Sequence, residues 1–217
     1  MKFDNIIFDF DGTITDSRKD IAGAQLWVLR QLGVTTHSME DLYPHIGKPL
    51  DRTFQYLLPP SLHHRIQDAT RMYAEYYPSR SLMTTQLFPG VRETLDTLCE
   101  RGKRLAVAST KRGAGIRRAT DYFGITDHFV QLQGSEGIPF KPDPAIVRKI
   151  MSDQDWEPAA TVIVGDTDSD ILAGKNAGIA TCAVTYGSLS AGELKAFGPD
   201  YMIESFTDII TLVDPDT

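Results

Sequence analysis

The sequence lacks several features that mark particular classes of protein. It has two cysteines among 217 residues, Cys99 and Cys182, and they share no spacing typical of a metal site. Both lie in apolar patterns, so we expect two buried thiols in a reduced setting. No run of eighteen apolar residues is present, and the first ten residues do not resemble a secretion signal. We therefore expect a cytoplasmic protein with no membrane partner.

Basic charge is also scarce. Lysine and arginine number 22 against 29 aspartates and glutamates, which gives a net charge of −7. A protein that binds nucleic acid through its phosphates normally carries a basic face, so nucleic acid is not an expected partner. A small anionic ligand is compatible with this charge, because a metal ion and one or two cationic side chains can neutralise it locally.

Apolar and β-branched runs predict five strands, which alternate with helical patterns along most of the chain. The predicted strands cover residues 3–10, 104–109, 129–132, 161–164 and 180–184. Continuous apolar strands of this kind are covered on both faces, and their alternation with helices predicts parallel crossovers. The expected fold class is α/β, with a doubly wound parallel sheet in a Rossmann-like core.

One block of the sequence does not alternate between strand and helix patterns. Residues 16–83 contain helical patterns but no strand pattern. The first helix is expected to begin after Asp16 or Ser17 and to stop at Gly33, and a later one to cover residues 62–77. We therefore expect a helical cap subdomain at 16–83, inserted into a core formed by residues 1–15 and 84–217.

The strongest chemical signal follows the first predicted strand. Asp9 and Asp11 are separated by one residue and precede Gly12 and Thr13. Two carboxylates so placed on a strand share a face and repel each other unless a cation lies between them, and carboxylate oxygens suit Mg²⁺. Gly12 allows a sharp turn at the strand end, which is where ligands of open α/β sheets bind. The alternative is a pair of solvated aspartates at a surface strand end.

Residues 8–14 resemble the first motif of the haloacid dehalogenase-like hydrolase superfamily. Three further segments resemble the other motifs of that family, in its order: Ser109-Thr110 after a strand, Lys141 in Lys141-Pro142-Asp143-Pro144, and the run from Gly165 through Asp166 to Asp170. The resemblance spans the whole chain, including a helical cap between the first two motifs. The layout is most similar to the phosphoglycolate phosphatase branch, which includes nucleotide and pyrophosphate phosphatases.

The resemblance implies a role for each carboxylate. Asp9 would be the nucleophile that accepts the phosphoryl group, and Asp11 the acid and base that serves the leaving group and then water. Relatives that cleave carbon–halogen bonds lack a carboxylate at the position of Asp11, because a halide leaves unprotonated. The implied cofactor is Mg²⁺, bound by the side chains of Asp9 and Asp166 and by the backbone carbonyl of Asp11. Asp170 would lie outside this shell and orient a metal-bound water or Lys141.

Hydroxyl and cationic groups complete the implied site. Ser109 and Thr110 would bind phosphoryl oxygens just before a helix start near Gly113, whose amides favour an anion. Lys141 would pair with Asp9 and with the phosphoryl group. The alternatives are a plain helix cap for Ser109 and a solvated loop position for Lys141. Lys111, next to this segment, could steer anions or belong to a surface charge pair.

The cap offers weaker candidates. Lys48 lies in Gly47-Lys48-Pro49, and caps of related enzymes lower such a loop over the substrate, where it would meet a phosphate or a carboxylate. Arg52 lies four residues further on and can share its helix face, although an exposed basic pair would show the same pattern. Tyr73, Tyr76 and Tyr77 are interpreted as helix packing.

The sequence predicts a Mg²⁺-dependent phosphatase that acts on a small phosphorylated metabolite through a phosphoaspartate. A phosphomutase acting on a sugar phosphate is an alternative, because it would use the same Asp9 and Asp11. A signalling receiver domain also combines an acidic cluster, a hydroxyl group and a lysine, but it has no helical insert after its first strand. The predicted assembly is a monomer or a homodimer, and the sequence does not choose between them.

Overall fold

The computed structural model describes residues 2–214 of the chain, and these form two compact units. The core unit combines residues 2–15 with residues 87–214, and the cap unit comprises Asp16–Gln86. The sequence placed the corresponding boundary after Met83. Met1 and residues 215–217, which the sequence assigned to the core, lie outside the described residues.

Residues 2–214 contain eight strands and nine α-helices. The strands are β1 (Asn5–Phe8), β2 (Thr15–Asp16), β3 (Gln86–Leu87), β4 (Arg104–Ala108), β5 (Phe129–Gln133), β6 (Thr161–Gly165), β7 (Ala180–Val184) and β8 (Tyr201–Ile203). The helices are α1 (Arg18–Gln31), α2 (Leu50–Leu57), α3 (Ile66–Tyr76), α4 (Val91–Glu100), α5 (Gly113–Phe123), α6 (Ala145–Gln154), α7 (Asp168–Ala177), α8 (Ala191–Ala196) and α9 (Ile209–Val213).

The core unit is built on a six-stranded parallel sheet in the order β5-β4-β1-β6-β7-β8. The predicted doubly wound α/β fold is therefore confirmed. The chain runs outward from β1 through β4 to β5 and then returns to β6 on the other side of β1. This reversal of direction opens a crevice at the carboxyl ends of the central strands. The sequence missed β8, because a three-residue edge strand with only one fully buried side chain carries little apolar signal.

Both faces of the sheet are covered, as the continuous apolar strands predicted. Ile7 lies in a buried cluster with Ala106 and Ala108 of β4 and with residues of α6 and α7. The next residue, Phe8, points to the opposite face and stacks on Phe206 with ring centroids 5.5 Å apart. This alternation along β1 fixes the strand between two apolar layers and so fixes the position at which it ends.

The cap unit has a hydrophobic core of its own, formed by residues of α1, α2 and α3. Trp27 stacks on Tyr76 at 3.9 Å between ring centroids, and Tyr73 is buried 5.1 Å from Tyr77. The interpretation of the cap tyrosines as packing residues is confirmed. The third helix begins four residues later than predicted, because residues Pro60–Arg65 form a 3₁₀-helix first.

The two stretches of chain that connect the units, β2 and β3, pair with each other as a short ribbon. Within residues 2–214, no helix is long and apolar enough to cross a bilayer. The expectation for the cysteines is half right. Cys182 is buried in β7, but Cys99 is exposed, because it follows Leu98 on α4 and so falls beside the helix face that packs on the core.

Candidate active site

The predicted motifs lie where central strands end. Asp9 follows β1, Ser109 follows β4 and Asp166 follows β6, and these three strands are neighbours in one parallel sheet. The backbone N–H of Asp9 donates to the carbonyl of Val164, 2.9 Å away, so the β1–β6 pairing continues to the first carboxylate. The sheet therefore brings together three segments that are 57 to 157 residues apart in sequence.

Lys141 lies among these residues at the ends of the strands. Its ammonium nitrogen is 2.6 Å from Oδ1 of Asp9, 2.5 Å from Oδ1 of Asp170 and 2.9 Å from the carbonyl oxygen of Ala108. The side chain is only 3% exposed, so it is not the solvated loop lysine of the alternative interpretation. Burial alone would lower the pKa of Lys141, but Asp170 and Asp9 outweigh it and raise the pKa above the usual value. Lys141 is therefore a fixed, buried positive charge.

Three buried carboxylates form an acidic cluster. Asp9, Asp166 and Asp170 each present an oxygen within 4.8 Å of the others. Burial, helped by Asp170 and Asp166, raises the pKa of Asp9 well above the usual range even though Lys141 opposes the shift. Burial and Asp170 likewise raise the pKa of Asp166 to about 6. Such a cluster can bind a metal ion, which would offset the repulsion among the carboxylates.

Asp170 differs from the other two because both of its oxygens have partners. Oδ1 accepts from Lys141, and Oδ2 accepts from the backbone N–H and the hydroxyl of Thr167, at 3.1 and 2.6 Å. The bond from the Thr167 N–H belongs to a capping box at the start of α7. The arrangement holds the Asp170 carboxylate toward Lys141.

Asp166 is held by groups that the sequence analysis did not select. Thr13 donates its hydroxyl to Oδ1 at 3.2 Å, and the backbone N–H of Ser188 donates to Oδ2 at 2.8 Å. Gly12 has a φ of +95°, and a Cβ at this position would lie 2.1 Å from Oδ2 of Asp166. Gly12 is therefore needed both for the turn and for the approach of Asp166 to the first motif.

Asp11 lies beside a second lysine. Its Oδ2 is 3.0 Å from the ammonium nitrogen of Lys111, which also lies 6.0 Å from the centroid of the Phe10 ring. The sequence weighed Lys111 as a guide for anions or a surface charge and missed this contact. Its position directly after Ser109-Thr110 was the available signal.

The second motif forms a compact turn. Ser109 accepts a hydrogen bond at Oγ from the backbone N–H of Lys111 at 3.2 Å, and the carbonyl of Thr110 accepts from the hydroxyl of Ser135 at 2.8 Å. Helix α5 begins at Gly113, as predicted, but the Gly113 N–H donates to Oε1 of Glu136 at 2.7 Å. The first backbone amide of α5, which the sequence analysis expected to bind phosphate, is thus bonded to the Glu136 carboxylate.

Lys48 lies in the cap unit, where it lines a pocket of about 640 Å³ with Arg52, His45 and Tyr56. The ring of His45 lies 4.4 Å from that of Tyr56. Burial lowers the pKa of His45, and Lys48 adds to the shift, which favours the neutral form of the ring. Lys48 precedes α2 and only Arg52 lies on the helix, so the two cations do not share a helix face, although both line this pocket of the cap.

Comparisons with known proteins agree with the fold and with the family resemblance. The family model described as haloacid dehalogenase-like hydrolase matches residues 6–184. The pyrophosphatase PpaX of Halalkalibacterium halodurans is 29% identical and covers 98% of both chains, and a phosphoglycolate phosphatase of Vibrio vulnificus is 30% identical over 96% of this chain and 95% of its own. A crystal structure from Haemophilus somnus, described as a predicted phosphoglycolate phosphatase, has a TM-score of 0.88 at 26% identity and covers 99% of each chain.

The chain belongs to the haloacid dehalogenase-like hydrolase family, and the resemblance seen in its motifs is confirmed. The relatives are named as phosphatases, so the prediction of an enzyme of this family's phosphatase class is also confirmed. The signalling receiver is set aside, because the family is one of hydrolases.

Proposed function

We propose that this chain is a Mg²⁺-dependent phosphatase that hydrolyses a small phosphate monoester through a phosphoaspartate at Asp9. The observation that carries the proposal is the position of the Lys141 ammonium group between Asp9 and Asp170, with Asp166 in the same cluster. A buried lysine and buried carboxylates on one ligand-binding edge are costly to assemble and are typical of a catalytic centre.

The residues present fit a magnesium ion. The donor set is made of carboxylate oxygens, the ligand type that Mg²⁺ prefers. Glycines line the cluster where a side chain would intrude, since a Cβ on Gly12 or Gly187 would lie within 2.6 Å of an Asp166 oxygen. Asp9, Asp166 and the backbone carbonyl of Asp11 would hold the ion, while Asp170, whose oxygens already have partners, would lie outside its shell. Bound Mg²⁺ would reduce the repulsion between the Asp9 carboxylate and an anionic phosphoryl group.

Asp9 is the proposed nucleophile. An Asp9 carboxylate oxygen attacks phosphorus, a new P–O bond forms, and the bond to the leaving oxygen breaks. Lys141 contacts Asp9 and carries a positive charge, so it favours the ionised form of Asp9 against the effect of burial and offers hydrogen bonds to the phosphoryl oxygens. The hydroxyl of Ser109 and the Thr110 segment would bind the remaining phosphoryl oxygens.

Asp11 is the proposed acid and base. In its protonated form it gives its proton to the leaving alkoxide, and the resulting carboxylate then removes a proton from water. That water attacks phosphorus, the bond to Asp9 breaks, and inorganic phosphate leaves, which restores Asp9 as a carboxylate and Asp11 as the protonated acid. Lys111, 3.0 Å from Asp11, orients this side chain.

The identity of the substrate depends on groups other than the phosphate. Relatives of similar identity are named for pyrophosphate and for phosphoglycolate, both of which carry a second anionic group. We propose that Lys48, with Arg52 in the same cap pocket, binds such a group. A small phosphorylated acid is therefore the substrate class to test first.

The decisive experiment compares wild type, Asp9→Asn and the exposed-site control Asp127→Asn on a panel of phosphorylated metabolites with Mg²⁺. We expect Asp9→Asn to abolish phosphate release and capture of a beryllofluoride mimic while the circular dichroism spectrum stays unchanged. Asp127→Asn should behave as wild type. Substantial turnover by Asp9→Asn would exclude the proposed nucleophile, and formation of an isomer without inorganic phosphate would identify a mutase instead.

A further inference from the structure

The loop between β7 and α8 contacts the acidic cluster formed by Asp9, Asp166 and Asp170. The backbone N–H of Ser188 donates to Oδ2 of Asp166 at 2.8 Å, and the phenol of Tyr186 donates to the carbonyl of Thr13 at 3.0 Å. A Cβ on Gly187 would lie 2.2 Å from Cβ of Asp166 and 2.6 Å from the carbonyl oxygen of Gly12. The loop thus contacts both the fourth motif and the turn of the first motif, although it belongs to neither.

The hydroxyl of Ser188 is buried and has no hydrogen-bond partner among the described residues. Buried hydroxyls in native proteins are nearly always bonded to protein, water or a ligand. Three bonds of about 1.5 Å separate this oxygen from its own backbone nitrogen, so it can lie no farther than about 4 Å from that nitrogen. Because the same nitrogen lies 2.8 Å from Oδ2 of Asp166, the hydroxyl lies within about 7 Å of the cluster proposed to hold Mg²⁺.

The chemistry of magnesium supplies the missing partner. Mg²⁺ dehydrates reluctantly, so an ion held by a few carboxylates keeps several water molecules, each a strong hydrogen-bond donor. A serine oxygen is an acceptor for such a donor, and its own proton can go to a neighbouring carboxylate or a second water. Groups outside the ligand shell commonly fix the orientation of the ligands in this way.

We propose that Ser188 is a positioning residue of the magnesium site. Its backbone amide fixes the Asp166 carboxylate, and its hydroxyl binds a water molecule of the ion's hydration shell. The inference rests on the proposed function, since it requires that Asp9 and Asp166 bind Mg²⁺. It assigns a role to a residue outside the four motifs, brought to the site by the chain after the fifth strand of the sheet.

Mg²⁺ binding to the substrate-free protein tests this role without a measurement of activity. Isothermal titration with MgCl₂ would be run on wild type, Ser188→Ala and Thr94→Val, together with thermal unfolding in EDTA. Thr94 is the matched control, because its hydroxyl is also buried without a partner among the described residues but lies on α4. We expect Ser188→Ala to weaken Mg²⁺ binding about tenfold and Thr94→Val to leave it unchanged. Neither variant should lower the melting temperature in EDTA, because neither hydroxyl has a protein partner to lose.

A second pair of variants tests whether the position of the loop affects Mg²⁺ binding. Gly187→Ala should push the loop away from Asp166 and weaken Mg²⁺ binding, whereas Gly192→Ala on α8, whose Cβ would meet nothing within 4 Å, should not. Wild-type affinity in Ser188→Ala would overturn the role of Ser188 while leaving the proposed function in place. Failure of the wild type itself to bind Mg²⁺ would overturn both.

Discussion

The Lys111 ammonium group lies 3.0 Å from Oδ2 of Asp11, and the two side chains are only 12% and 11% exposed. The pair joins the residue after the second motif to the second carboxylate of the first motif. Asp11 therefore does not point freely into solvent at the strand end. A lysine that the sequence left as a steering or surface charge instead restrains the proposed acid and base.

Replacement of Lys111 should affect the departure of the leaving group. In Lys111→Met the Asp11 carboxyl loses its restraint, so proton transfer to the leaving oxygen should become less efficient, by roughly 10- to 100-fold in kcat. The loss should be large for an alkyl phosphate, which needs protonation, and small for p-nitrophenyl phosphate, which does not. Steady-state kinetics on both substrates provide the measurement. Arg112→Met, an exposed neighbour, is the control, and equal losses on the two substrates would contradict a role through Asp11.

Asp170 should affect the rate of catalysis through its contact with Lys141. Asp170→Asn keeps an acceptor for Thr167 but removes the charge 2.5 Å from the Lys141 ammonium group. The pKa of Lys141 should fall toward its usual value and its orientation should loosen, so kcat should drop about 10- to 100-fold. Asp168→Asn, two residues earlier in α7, is the matched control because the Asp168 side chain is only partly buried. Equal rates for the two variants would show that Asp170 does not position Lys141.

Sequence analysis predicted most of the fold and the place at which the proposed catalytic groups meet, both for the same reason. The strands of the sheet interior are continuous apolar runs, and Asp9, Ser109 and Asp166 follow three of them directly. One pattern therefore predicted both the strands and the polar residues at their ends. Sequence analysis failed for the groups that hold Asp166. The partners of Asp166, Thr13 and Ser188, are a hydroxyl and a backbone amide that are 153 and 22 residues away in sequence. Such groups have no distinctive residue type or spacing, and only the folded chain shows that they meet.

Gly12 should tolerate no side chain. An alanine at this position would have to adopt a positive φ, and its Cβ would lie 2.1 Å from an Asp166 oxygen. Gly102 separates these two effects, because it has a φ of +73° but a Cβ there would meet nothing within 4 Å. We expect Gly102→Ala to cost about 1 kcal/mol in the free energy of unfolding with normal activity. Gly12→Ala should lose nearly all phosphatase activity and most of its Mg²⁺ affinity, and normal kinetics in this variant would contradict the proposed packing of Asp166 on the first motif.

Asp20 should stabilise the cap unit in a pH-dependent way. Its carboxylate lies on α1 and accepts hydrogen bonds of 2.7 to 3.1 Å from four donors, which are the backbone N–H and the hydroxyl of Thr84 and of Thr85. Burial would raise the pKa of Asp20, but the bonds from Thr85 and Thr84 outweigh it and hold the pKa below the usual value. Asp20→Asn should therefore lower the free energy of unfolding at pH 7 by about 2 kcal/mol, because asparagine cannot accept all of these bonds.

The sign of the pH dependence follows from the direction of that shift. A carboxyl whose pKa is lowered by folding stabilises the fold fully above its unfolded pKa, about 3.9, and the stabilisation is lost as the pH falls through the lower folded value. The difference between wild type and Asp20→Asn should thus be constant from pH 7 to about 5 and should shrink below about pH 4. Denaturant unfolding of both proteins across this range measures it. Asp68→Asn is the control in the same unit, since Asp68 forms ion pairs with Arg65 and Arg71 only at the surface, and it should change stability much less than Asp20→Asn does. A difference for Asp20→Asn that grows as the pH falls would contradict the assignment.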